Sequence, residues 1–249
     1  MMARSFRVSA KPSRRAAWIL LYFGIMKDAK RFECLSRFEE RDFVFLVTAI
    51  GGAADGAALR GLFVDQESLR HLLDDERVFR ALLESPSLLN VSPWFYFYVL
   101  TRHSLKRRGL DDLPLAEYLG SILAERVPMA PHDSLRGIPA GFVHTVDFLA
   151  VLDRASGKTR YELLVAAGNQ FLVLTGIFPG YIRRRSERRG APGLAYYEEF
   201  ARASFQEATH HPMAKRSGLS EVFGTLTDVL PEARRSLNRM ADSLLFLAS

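Results

Sequence analysis

The chain has one cysteine, Cys34, in 249 residues. That excludes an internal disulfide framework and a zinc site built from several thiolates. It fits a reducing compartment, and a cytoplasmic location is the expectation. Lysine is also scarce, with 6 Lys+Arg positions taken by lysine and 28 by arginine. Both side chains are cationic, so the bias reads as a GC-rich bacterial genome. Recognisable catalytic signatures are missing. There is no Gly-x-Ser-x-Gly elbow, and the glycines of 51–61 are followed by no Gly-Lys-Ser/Thr and match no dinucleotide turn. Cys34 has no histidine near it in sequence, which argues against a Cys-His nucleophile. No stretch reads as a confident strand, which argues against a sheet.

The other deficiency is of charge. From Leu163 to Ile182 no side chain is ionisable as an acid or base of the Asp, Glu, Lys, Arg type, and Arg183, Arg184 and Arg185 follow directly. A bilayer span, a buried core helix and the root of a nucleic-acid-binding helix all share this pattern. Asn169 and Gln170 fall in its middle, and only 16 residues (163–178) precede Pro179. Amides at mid-bilayer are costly without partners, and a span needs about 20 residues. A central core helix over about 160–178 is therefore expected, and integral membrane insertion is not.

What is present is helix punctuation. Ser36 to Glu39 and Thr159 to Glu162 read as capping boxes. Ser92-Pro93 has a cap hydroxyl followed by proline at the first helical position. Asp65, Asp75, Pro114, Pro192 and Ser220 mark further starts, while Gly51, Gly109, Gly157, Gly190 and Pro212 mark ends. The last helix is expected from Pro231 to Leu247. These signals predict an all-α fold, a multi-helix bundle of about eleven helices around the central apolar one. A β-hairpin over 148–165, turning at Ser156-Gly157, is the rival for that stretch.

The charge is unevenly placed. Residues 1–36 carry eight Lys/Arg and two Asp/Glu, and the remaining 213 residues carry 26 of each. The organisation read from this is a basic extension over 1–36 and one helical domain over 37–249. The proline-rich stretch 127–142 is the candidate hinge between two lobes. Within the extension, basic residues precede the apolar run 16–26, as in a targeting segment, but no small-residue cleavage site follows. A mis-assigned start upstream of Met26, a membrane-surface helix and a cleaved leader stay open beside a plain extension.

Two groups of side chains are candidate sites. Arg183, Arg184, Arg185, Arg188 and Arg189 put five arginines in seven residues and suit polyanion binding. They also lie at a helix C-terminus, where cations are stabilising in any solvated helix. Glu207-x-x-His210 has the spacing of a helical-bundle metal ligand pair. His144-x-x-Asp147 repeats it in reverse order, and Glu199 lies two turns before Glu207. A metal ion is the alternative to no cofactor at all. The aromatic run 94–98 cannot share one helical face, so most of it is expected in the core. The functional expectation is a non-enzymatic interaction or regulatory module with a protein partner. The alternatives are a bundle metalloprotein and a binder of nucleic acid or an anionic surface.

Overall fold

Ser92 accepts a hydrogen bond from the amide of Phe95 at 3.2 Å, and Asp112 accepts one from Leu115 at 2.8 Å. In both cases a proline follows within two residues, where its missing N–H costs nothing. Local capping of this kind organises the whole chain. The computed structural model describes residues 32–51, 66–84, 91–126 and 145–243. Among them are eleven α-helices and no strand: α1 (Glu40–Ala49), α2 (Gln66–Leu73), α3 (Glu76–Glu84), α4 (Pro93–Lys106), α5 (Leu113–Ala124), α6 (Thr145–Arg154), α7 (Gly157–Ile177), α8 (Pro179–Arg189), α9 (Leu194–Thr209), α10 (Pro212–Arg216) and α11 (Ser220–Ser243). The fold is all-α, and the hairpin rival over 148–165 is overturned, because α6 and α7 occupy that stretch.

Neither expected capping box forms where the sequence placed it. Glu39, not Ser36, caps α1, with its amide donating to Asp42 Oδ2 at 2.8 Å. Ser36 instead donates to the carbonyl of Glu33. The shift follows from Asp42, whose carboxylate is buried and also accepts from the amide and hydroxyl of Ser92, both at 2.6 Å. One carboxylate thus joins the starts of α1 and α4. At the second box, α7 begins at Gly157 rather than after Thr159. Gly157 has φ +53°, so the chain turns out of α6 and into α7 a half-turn early. The expected pair of helices over 220–230 and 231–247 is present as the two arms of α11, which meet at a kink where Val229, just before Pro231, leaves the helical conformation; the described part of the second arm ends at Ser243.

α7 is the centre of the bundle. Every residue from Ala167 to Ile177 is buried, so the helix is enclosed on all sides. It packs against α9, α11, α8 and α6, while α4 pairs with α5 and α11 touches both groups. Two glycines set the approach. A Cβ at Gly168 would lie 2.7 Å from the Phe205 ring of α9, and one at Gly176 would lie 2.8 Å from Leu237 Cβ of α11. Asn169 accepts a hydrogen bond from the Tyr118 hydroxyl of α5, which satisfies one of the two amides in the apolar run. No single described helix is long and apolar enough to cross a membrane; α7 and α8 reach that length only together, across a 90° bend.

The bend has a definite cause. Phe178 donates its amide to the carbonyl of Leu174, but Pro179 has no amide to give to Thr175. Asn238 of α11 supplies the missing donor, with Nδ2 bonding the carbonyls of Thr175 (2.9 Å) and Gly176. Arg234 then holds the Asn238 carbonyl at 2.6 Å and contacts Glu198 of α9 at 2.6 Å. The end of α7 is therefore tied to α11 and through it to α9.

One buried cluster runs from Phe32 to Ala241. Phe32 and Cys34 belong to it, so the folded body starts before residue 37. The rest of the basic extension (1–31) and the expected hinge (127–142) lie outside the described residues.

Gly168→Ala should cost about 1–3 kcal/mol, since the Phe205 ring is walled in and cannot retreat. Gly224→Ala should instead gain up to about 1 kcal/mol, because a Cβ there meets nothing within 4 Å in a helix. Thermal melts that move both variants in the same direction would contradict this packing. Asn238→Ala should lower stability by about 1–3 kcal/mol by stranding two buried carbonyls, and a melting temperature equal to wild type would refute the splice.

Candidate functional site

α8 starts at the bend and ends at Gly190, which takes φ +59°. Ile182 is its one buried residue. Tyr181 is half-buried, and Arg185 folds back onto it, with the guanidinium 3.2 Å from the hydroxyl and 5.9 Å from the ring centre. Arg183, Arg184, Arg188 and Arg189 face solvent. Among the described residues no carboxylate lies within salt-bridge distance of any of these four. Elsewhere among the described residues nine arginines meet a carboxylate, while Arg80, Arg108, Arg154 and Arg216 are exposed without one. Arg77 meets Asp75 at 2.6 Å, Arg102 meets Asp74 at 2.7 Å and Arg160 meets Glu207 at 2.6 Å. α8 therefore carries a local net charge of +4, and none of its four exposed arginines meets a carboxylate among the described residues.

A shallow depression opens beside the same elbow, lined by Arg108, Arg235, Asn238, Arg239 and Asp242. Asn238 is the side chain that grips the end of α7, so the depression lies next to the root of α8. Arg235 is held by Glu232 at 3.2 Å.

The described residues include only part of the expected metal-ligand set. Glu207 accepts from Arg160 Nε at 2.6 Å and would have to surrender that pair to bind a metal. Glu199 is exposed, 3.7 Å from Arg202. His210 is exposed at the end of α9. Asp147 lies on α6, but its side chain and the whole of His144 fall outside the described residues. Among those residues no group of three His, Cys, Asp or Glu is placed to hold a metal ion. The neighbouring His211 has a structural use, accepting from the Met213 amide and stacking on Tyr161.

Sequence reasoning missed a polar group between α2, α4 and α5. Arg102, almost fully buried, grips both oxygens of Asp74 at 2.7 Å and also reaches Asp111 at 2.5 Å. Burial works to raise the Asp74 pKa, but the hydrogen bonds from Arg102 and Lys106 win and hold it below the ordinary value. His103 stacks on Phe79 with centroids 4.5 Å apart and contacts Glu76 at 3.5 Å. Its pKa is lowered, chiefly by burial, with the Leu73 carbonyl and Glu76 pulling the other way. On α5, burial pushes Glu117 up to about 7, opposed by Arg70 at 4.0 Å and reinforced by Glu33. The buried hydroxyls of Tyr98 and Thr101 have no hydrogen-bond partner among the described residues. Cys34 bonds Ser121 at 3.3 Å, and burial pushes its thiol up to about 12, so it is not a thiolate nucleophile at neutral pH. A signal for Glu117 did exist: it is the lone charge in the apolar stretch 113–124.

Glu117 ties stability to pH. Its folded pKa of about 7 lies above the ordinary 4.5, so the stability its protonated form supports is complete below pH 4.5 and is lost as pH rises through 7. Glu117→Gln imitates the protonated acid. It should leave stability unchanged near pH 4 and raise it by up to about 3 kcal/mol at pH 8. Denaturant titrations at the two pH values measure this, and a gain equal at both would show that the carboxyl titrates normally.

No protein-family model, curated protein or solved structure matches the chain.

Proposed function

We propose that the protein is a helical interaction module that engages an acidic macromolecule through α8. One observation carries this reading. Arg183, Arg184, Arg188 and Arg189 are exposed and meet no carboxylate among the described residues, on a helix set at 90° to α7. A surface that keeps like charges close without internal partners is destabilised by self-repulsion and relieved by an external anion. α8 is also well suited to present them. Its root is pinned by Asn238 and Ile182, so binding orders few groups beyond the arginine side chains themselves. The surplus cations of residues 1–36 add long-range attraction, while α8 acts within a Debye length of about 8–10 Å.

Elution from immobilised heparin tests the reading. Replacing Arg183, Arg184, Arg188 and Arg189 together with glutamine should leave the melting temperature within a few degrees of wild type, because surface changes cost about 0.5 kcal/mol or less each. The variant should elute at clearly lower salt than the parent. Identical elution would place the contact elsewhere and remove α8 from the interface.

A further inference from the structure

Resting on that reading, we infer that the acidic partner is a nucleic acid, gripped at its phosphate backbone by α8. The chemistry of the outward face selects it. The exposed residues of α8 from Arg183 onward are Arg183, Arg184, Glu187, Arg188 and Arg189, and every one is charged. Ile182 is buried, and Tyr181 is half-buried in contact with Arg185. A stable protein interface has a desolvated centre built on aromatic or aliphatic anchors, with charges at its rim. α8 has a rim and no such centre. A helix that lies on a bilayer needs an apolar face to sink into the acyl boundary, and the apolar side of α8 is already committed to α7 and α9. Phosphodiester backbones ask for neither. They are recognised by charge and by forked hydrogen bonds, which guanidinium groups supply in bidentate form.

Dimensions agree. Eleven residues make a helix about 16 Å long. A duplex carries one charge per about 1.7 Å of axis, so the outward side of a helix of that length faces several phosphates. Arg184 and Arg188 stand one turn apart on the same face, and Arg183 flanks them, so a strand can be followed rather than touched at one point. Nothing in this arrangement reads base edges in a fixed register, so binding is expected to be independent of sequence.

The test uses the full chain and the fourfold Arg→Gln variant at positions 183, 184, 188 and 189. The probes are a labelled 20-base-pair duplex DNA, poly-glutamate of equal charge, and vesicles containing phosphatidylserine. Each affinity is followed over a salt series. The full chain should bind the duplex more tightly than either other probe. On the duplex, the variant should lose about two to three units of the slope of log affinity against log salt, at about 0.9 per phosphate contact. If the duplex slope is the same for both proteins, the inference is wrong. If poly-glutamate or the vesicles bind more tightly than the duplex, and that binding weakens in the variant, the nucleic-acid assignment falls while the acidic-partner reading stands. If the variant and the parent agree on every probe, both fall together.

Discussion

The absent amide of Pro179 is the constraint around which the structure is arranged. α7 is buried on all sides, so its last carbonyls cannot turn to water. A proline in the next turn removes the donor they need. Asn238 replaces it from another helix, and Arg234 and Glu198 hold Asn238 in place. The same break that must be repaired also redirects the chain by 90° and delivers α8 to the surface. A buried helix end and an exposed basic helix are thus two consequences of one residue.

The other half of the bundle meets the same problem with charge. Asp42 sits fully buried between the starts of α1 and α4 and collects three hydrogen bonds, one from Glu39 and two from Ser92. Arg102 is nearly as deep and divides its donors between Asp74 and Asp111. Buried ions of this kind contribute little net stability but penalise any rearrangement that separates them. They therefore fix how α2 and α3 sit on α4. Glu117 is the exception. Arg70 stands 4.0 Å away, too far for a good hydrogen bond, and burial leaves its carboxyl poised near neutrality.

These pairings also bear on function. The body spends its carboxylates on particular arginines: Asp75 on Arg77, Glu198 on Arg234, Glu207 on Arg160. α8 has only Glu187 against five arginines. Neutrality over residues 37–249 therefore hides an uneven distribution, with five arginines against one glutamate on a single surface helix. An even charge count is compatible with a focused local field, and the binding proposal depends on that distinction.

Helix identity was legible in the sequence because its causes are local. Ser92-Pro93, Asp112 with Pro114, and Gly190 act within four residues of themselves, and the elements they bound appear where expected. The central burial of α7 was legible too, since twenty residues without a formal charge leave little choice of environment. The arginine cluster was visible, but its unpaired state was not, because pairing depends on which carboxylates other helices bring within reach. The capping boxes at Ser36 and Thr159 misled for the same reason: Asp42 answered to Ser92, fifty residues away, and Gly157 turned the chain early. Local propensity and patterning thus determined the helices and the core helix among them. Which carbonyl Asn238 would cap, which glycine would admit Phe205, and which arginines would remain unmatched were decided only by tertiary contact, because each depends on distances between residues far apart in the chain.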